Sequence, residues 1–259
     1  MTVLDDLKTE LSAANDRLLA AVARLSDPDV AAPSLLPGWT RGHLLTHIAR
    51  NADSHLNLMT WARTGVYTPQ YPDAATRDAE IAEGAARPAK EHYDDLAEST
   101  ARLDHAVATM PQERWAAMVS GMQPPEHPAW YILSRRLREV EIHHSDLGSG
   151  YTWADWPAAF VRRELHDALA CWPREGGPVS EVRADGRVWS GLGEGPVVEG
   201  PSAYVLAWMT GRLTGEGAGL GDRAGAEGLR LAARPPAAPK WPAASAPAGL
   251  PAAPPEEYP

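Results

Sequence analysis

Before Gly148 the chain carries four long stretches with helical periodicity, each bounded by proline or glycine, and no other feature limits its fold as much. Leu4, Leu7, Leu11, Leu18, Val22 and Leu25 recur at three- and four-residue steps or their multiples, with charges between, the pattern of an amphipathic helix. Ser26-Asp27-Pro28 ends it, and a Pro-rich connection through Pro33 and Pro37-Gly38 leads to Thr40. Threonine suits a helix N-cap, so a second helix is expected over 41–63, closed by Thr64-Gly65. A third helical region is expected from Ala74 to Met110, broken before Pro88, with Ile81, Tyr93, Leu96, Leu103 and Val107 as its apolar members. Residues 119–128, rich in proline, read as a crossover loop before a fourth helix from Trp130 to Leu147. Helices of this kind bury their apolar stripes only against one another, which predicts a four-helix bundle over residues 1–150.

The texture changes after Gly148-Ser149-Gly150. Asp155-Trp156-Pro157 suits a helix start, with the helix running to about Cys171. Val179 to Leu192 alternates around Asp185-Gly186, a hairpin signal, and Pro196–Gly200 suits a third short strand. Ser202 is expected to cap a helix over 203–213, and Leu229–Ala232 to return as an edge strand. The fold class is therefore mainly α with a small α+β C-terminal domain, residues 151–234. Residues 235–259, almost all Pro and Ala, offer too little bulky apolar surface to offset the entropy of ordering and are expected to form a disordered tail.

A formal charge of -10, with 24 dispersed basic residues, argues against nucleic acid as a partner. No apolar run is long enough for a membrane helix, and the N-terminus lacks the pattern of a signal peptide. The single Cys171 excludes an internal disulfide and fits a reducing, cytoplasmic setting. Its apolar helix beside Trp172 suits a buried, inert thiol rather than a nucleophile. No coiled-coil seam indicates an oligomeric state.

Chemistry concentrates in Glu139-Val140-Glu141-Ile142-His143-His144-Ser145-Asp146-Leu147. Residues four apart on a helix share a face, so Glu139 and His143 can present a carboxylate oxygen and an imidazole nitrogen to one divalent metal. The segment Gly38-Trp39-Thr40-Arg41-Gly42-His43-Leu44-Leu45-Thr46-His47 can supply a third ligand from another helix. Three mixed ligands leave a position open, as in catalytic zinc sites. Pattern alone does not choose between His43 and His47, and the same histidines also suit plain hydrogen-bonded positions. His144 lies nearest the middle of the apolar stripe and reads as a buried core histidine. No His-Glu-x-x-His motif is present, and Gly215–Gly221 lacks the Lys-Ser/Thr ending of a phosphate loop, so it reads as a turn. Arg212, at the end of its helix, could meet a carboxylate, although a surface arginine favouring a helix C-terminus is the plainer reading.

Leu36-Pro37-Gly38-Trp39-Thr40-Arg41-Gly42-His43-Leu44-Leu45-Thr46-His47, extended to Asp53, and later Arg138-Glu139-Val140-Glu141-Ile142-His143-His144-Ser145-Asp146-Leu147 together resemble the mycothiol-dependent maleylpyruvate isomerases. The resemblance extends through Ala207-Trp208-Met209-Thr210-Gly211-Arg212, departs in the Gly-rich 215–221 segment and leaves out the Pro/Ala tail. It implies a DinB-like four-helix bundle that binds Zn2+, followed by a small α+β domain. It further implies His47, Glu139 and His143 as zinc ligands, Arg77 and Asp146 as contacts to the thiol cofactor mycothiol, and Arg212 as the group that meets the substrate carboxylates.

The implied reaction is cis-trans isomerisation of a maleylpyruvate-like dicarboxylate, from maleyl to fumaryl. Adding a thiolate to one alkene carbon leaves a single bond that can rotate, and eliminating the thiolate restores a trans alkene. Thiol activation also serves an alternative, a mycothiol S-transferase that joins the thiol to an electrophile without elimination.

Overall fold

The computed structural model describes residues 2–213, 236–242 and 244–257. The chain divides into two compact units, Met1–Tyr151 with Gly249–Tyr258, and Thr152–Ala248 with Pro259.

In the first unit, α1 (Val3–Val22), α3 (Arg41–Thr64), α5 (Ala89–Ala108) and α6 (Tyr131–Asp146) form the bundle, with α2 (Asp27–Ala31) and α4 (Ala74–Gly84) in its connections. The four long helices close a ring: α1 and α3 each pack against both α5 and α6. Leu7, Leu11 and Leu18 of α1 meet the core with Leu44, Leu45, Ile48 and Leu58 of α3, Leu96 and Leu103 of α5, and Leu137 and Val140 of α6, all at most 2% exposed. Each contributes about 1.5–3 kcal/mol by leaving water.

Thr2, Ser26, Thr40 and Asp73 cap α1 to α4 with their side chains, whereas Pro88 and Trp130 precede α5 and α6 without a side-chain cap. Ser26 and Asp29 form a capping box that starts α2, a short helix in a stretch read from sequence as connection only. Asp73 caps α4 through Thr76 N, and the third helical region breaks between Gly84 and Pro88, where proline cannot extend a helix already under way. Gly42 lets α3 pass close to the turn after α4: a Cβ there would sit 2.1 Å from Ala85 O. The segment expected as a crossover loop contains a two-stranded ladder, β1 (Met118–Val119) antiparallel to β2 (His127–Pro128). Strands of two residues leave no alternation to read.

The second unit packs α7 (Ala158–Ala170) and α8 (Ser202–Met209) with a three-stranded sheet of β3 (Glu181–Ala184), β4 (Arg187–Ser190) and β5 (Val197–Gly200), in the order β4-β3-β5. Asp185 (φ 47°) and Gly186 (φ 80°) make the two-residue turn between β3 and β4, both in the left-handed region that a primed hairpin turn requires. β5 returns parallel to β3 on its other side. Val182 and Ala184 point into a core with Leu165, Leu169, Trp172, Val198, Val205 and Trp208. The helix starts shift from expectation. Pro157 and Pro201 occupy the cap positions, Asp155 instead closes a capping box with Thr152, and α8 ends at Met209 before Gly211 turns to φ 73°. Cys171 is half-buried at the end of α7 rather than buried within it.

The Pro/Ala segment needs a correction. Trp130 Nε1 donates to Pro251 O at 3.0 Å in the first unit, Trp208 Nε1 donates to Pro236 O at 2.7 Å in the second, and Ala246 is 1% exposed. Prolyl carbonyls are good acceptors, and indole N–H groups need one when buried, so the segment gains polar contacts where apolar ones are scarce. Gly215–Gly221 and Leu229–Ala232 lie outside the described residues. No helix among those described is long and apolar enough to cross a membrane.

Candidate metal centre

The start of α3 sets the site. Thr40 Oγ1 accepts from His43 N at 3.3 Å while His43 Nδ1 accepts from Thr40 N at 3.3 Å, a reciprocal cap that engages the His43 ring in starting the helix. The next residue inward, Arg41, reaches the end of α6: its Nε donates to Leu147 O at 2.6 Å and its Nη2 to Gly148 O at 3.1 Å, satisfying carbonyls that a helix C-terminus leaves orphaned. Nη1 adds a bond to Asp29 O at 3.1 Å. Arg41 thereby ties the N-terminus of α3 to the C-terminus of α6, which brings His47 opposite Glu139 and His143.

His47 Nε2 lies 3.1 Å from Glu139 Oε2, and His143 Nε2 lies 3.4 Å from the same oxygen. One ligand atom from each of the three residues falls within 4.8 Å of the others, with the imidazole rings edge to face at a centroid separation of 4.8 Å. This settles the two open choices. His47 rather than His43 joins the cluster, and His143 rather than His144. His144 is 3% exposed and stacks on Tyr151 at 4.0 Å, the core position its place in the stripe suggests.

Around this trio stand Asp146, Arg77 and Trp39. Asp146, 2% exposed, accepts from His143 Nδ1 at 2.8 Å and so turns Nε2 toward Glu139. Arg77 on α4 brings Nη2 to 3.2 Å from His47 Nδ1 and places its guanidinium 5.9 Å from the centre of the Tyr71 ring. Trp39 packs edge-on to His47 at 5.6 Å. Arg212 belongs to the second unit, where Nη1 donates to Thr210 O at 2.5 Å and the guanidinium lies over Trp241 at 5.6 Å.

Burial and hydrogen bonds move the three groups in different directions. Burial lowers the pKa of His47 against the pull of Glu139, so its imidazole is neutral near pH 7. Burial opposes the Glu139 carboxylate, but hydrogen bonds from His143 and His47 outweigh it and hold the group well below the usual carboxylate range. Burial likewise opposes a charged His143, and its bonds to Asp146 and Glu139 outweigh that and raise it. Two imidazoles and a carboxylate, with no fourth His, Cys, Asp or Glu donor in the cluster among the described residues, fit a borderline cation with a position left for a ligand.

One residue escaped the sequence reading. Along α6 every residue is buried except Arg135, Glu139 and His143, which stand four apart in a single row. Extending the Glu139–His143 spacing one step back would have found Arg135.

Fold and site together define a helical-bundle protein with three residues that could hold a metal ion, His47, Glu139 and His143, followed in sequence by a small α+β unit. The profile described as "Mycothiol maleylpyruvate isomerase N-terminal domain" matches residues 11–148. A solved structure of the mycothiol-dependent maleylpyruvate isomerase is 30% identical, covers 81% of this chain and 89% of its own, and superposes with a TM-score of 0.75. A histidine-to-alanine mutant of that enzyme gives the same figures. Among curated proteins none matches. The chain belongs to the mycothiol-dependent maleylpyruvate isomerase family.

Proposed function

We propose that this protein is a zinc- and mycothiol-dependent cis-trans isomerase that converts a maleylpyruvate-like dicarboxylate to its fumaryl isomer. The observation that carries the reading is the convergence of His47, Glu139 and His143 on one point in a bundle of this family. These three residues would hold the zinc, which when bound would supply a Lewis acid that lowers the pKa of a thiol.

The chain's own residues do the rest. Asp146, which the resemblance assigns to the thiol cofactor, also fixes the ring of His143 and raises its basicity. Arg77 Nη2 stands 3.2 Å from His47 Nδ1, beside the three residues that would hold the metal, where its donors would be available to an anionic ligand. Arg212 clamps a substrate carboxylate and offsets the charge that develops on the adjacent carbonyl as the alkene is attacked. Rotation about the resulting single bond and elimination of the sulfur then give the trans alkene.

The test is an assay of purified protein with zinc and mycothiol on maleylpyruvate, beside metal analysis of the wild type and His47→Ala. Fumarylpyruvate formation that follows zinc content and is lost in the variant is expected. Conjugate accumulating without fumarylpyruvate would instead identify an S-transferase.

A further inference from the structure

The open row of α6 has three members, and two of them are the metal ligands just described. The third, Arg135, is placed unlike several other arginines of the bundle. Arg17, Arg50, Arg87 and Arg102 each reach a carboxylate. Arg136, 1% exposed, is closed off in the core on Ile48 O and Asn51 Oδ1. Arg135 opens to the same side as Glu139 yet bonds only neutral groups: Nη1 to His127 Nε2 at 2.9 Å and Nη2 to Gln70 Oε1 at 3.2 Å.

Both neutral partners are themselves fixed. His127 Nδ1 bonds Pro128 O at 3.0 Å, leaving Nε2 as an acceptor, and burial with Arg135 alongside keeps the ring neutral, its pKa down at about 3. Gln70 Nε2 bonds Ser54 Oγ at 3.3 Å, which aims Oε1 at the guanidinium. Burial lowers Arg135 to about 10, still charged at pH 7. His127 and Gln70 thus orient a cation without neutralising it. A half-buried guanidinium held this way has donors left for an anion, and one ligand there would offset the cost of its burial.

We infer that Arg135, oriented by Gln70 and His127, is a specificity-determining residue that binds one carboxylate of the substrate within the bundle itself. It stands one helical step of four residues, about 6 Å along the axis, from Glu139. A short-chain diacid whose alkene reacts at the metal centre bridges that span. The inference rests on the proposed function and narrows it to substrates bearing an anion on this side of the reacting carbons.

The test compares wild type, Arg135→Gln and Gly121→Ala, all loaded with zinc. A Cβ at Gly121 would lie 2.8 Å from both Arg135 Nη1 and Gln70 Oε1, so that variant displaces the guanidinium without removing it and serves should Arg135→Gln fail to fold. Binding of maleate, with inorganic phosphate as the control anion, is followed by calorimetry, and turnover is measured on maleylpyruvate and on the neutral electrophile N-ethylmaleimide. Loss of a charge-assisted bond predicts maleate binding and KM for maleylpyruvate about 10- to 100-fold worse in Arg135→Gln, and a smaller shift in the same direction in Gly121→Ala. Zinc content and turnover of N-ethylmaleimide should stay within a few-fold of wild type. Maleate binding that is absent in wild type, no better than phosphate, or equal in all folded variants would overturn the inference. Wild type inactive with mycothiol on every substrate would instead overturn the proposed function, whatever the maleate result.

Discussion

Replacing Asp146 by asparagine tests the metal centre at the residue behind it. The carboxylate is 2% exposed and holds His143 Nδ1 at 2.8 Å from the same helix, three residues on, so the change keeps the shape and removes the charge. Partners of this kind are worth about 10- to 100-fold in metal affinity, or about 1.4–2.7 kcal/mol. The direction of the His143 shift adds a second handle. Its bonds to Asp146 and Glu139, outweighing burial, raise the pKa above 6.5, so protons compete with metal more strongly in wild type as the pH falls. Asp146→Asn weakens that competition as well as the ligand. The loss of zinc affinity should therefore be larger at pH 8, where fewer protons compete for the ring, than at pH 6. Competitive titration against a chromophoric chelator at both pH values, with circular dichroism to confirm folding, measures it. Affinity within threefold of wild type at pH 8 would refute the reasoning, since the buried carboxylate would then contribute nothing to the ligand it touches.

Two further outcomes follow from the same coordinates. Burial, with Arg135 next in effect, puts His55 and His127 at about 3 in the folded protein against 6.5 unfolded, so below pH 6.5 the unfolded chain binds protons that the folded one refuses. Their contribution is fully present above 6.5 and falls toward pH 3 by about 1.4 kcal/mol per unit for each ring. Urea unfolding of wild type between pH 6 and 5 should show such a slope, and His127→Gln should reduce it by about 1.4 kcal/mol per unit; equal slopes would exclude His127 as a source. For the catalytic reading, Arg212→Ala should abolish maleylpyruvate turnover while sparing conjugation of a neutral electrophile by more than tenfold. Equal loss on both substrates, or none on maleylpyruvate, would remove Arg212 from carboxylate binding.

How much of this was legible in the chain depends on how local the cause was. Thr40, Gly65 and the Asp185-Gly186 turn act within a few residues of themselves, so their helix ends and hairpin could be read from residue type alone. The period of the apolar residues likewise gave the bundle helices. What escaped depends on partners distant in sequence. Nothing near His43 says that its ring will cap the helix rather than face Glu139, a carboxylate 96 residues away. Nor does a Pro/Ala stretch announce that its carbonyls will receive indole hydrogens from Trp130 and Trp208.

Arg135 falls between these cases, and its miss is instructive. Its spacing from Glu139 was visible, but arginines on an amphipathic helix are ordinarily solvated, and only the burial of α6 on every other side gives this one meaning. A helix packed that completely has a single strip from which to do chemistry. Whatever reacts on α6 must therefore approach across Arg135, Glu139 and His143 together, and a ligand that meets the metal centre cannot avoid the charge beside it. Arg135 hydrogen-bonds only neutral groups and feels Glu139 through space, so a substrate carboxylate would give it the direct anionic partner it lacks. A carboxylate bound by Arg135 would make the bundle itself, and not Arg212 alone, a source of selectivity for an acidic substrate.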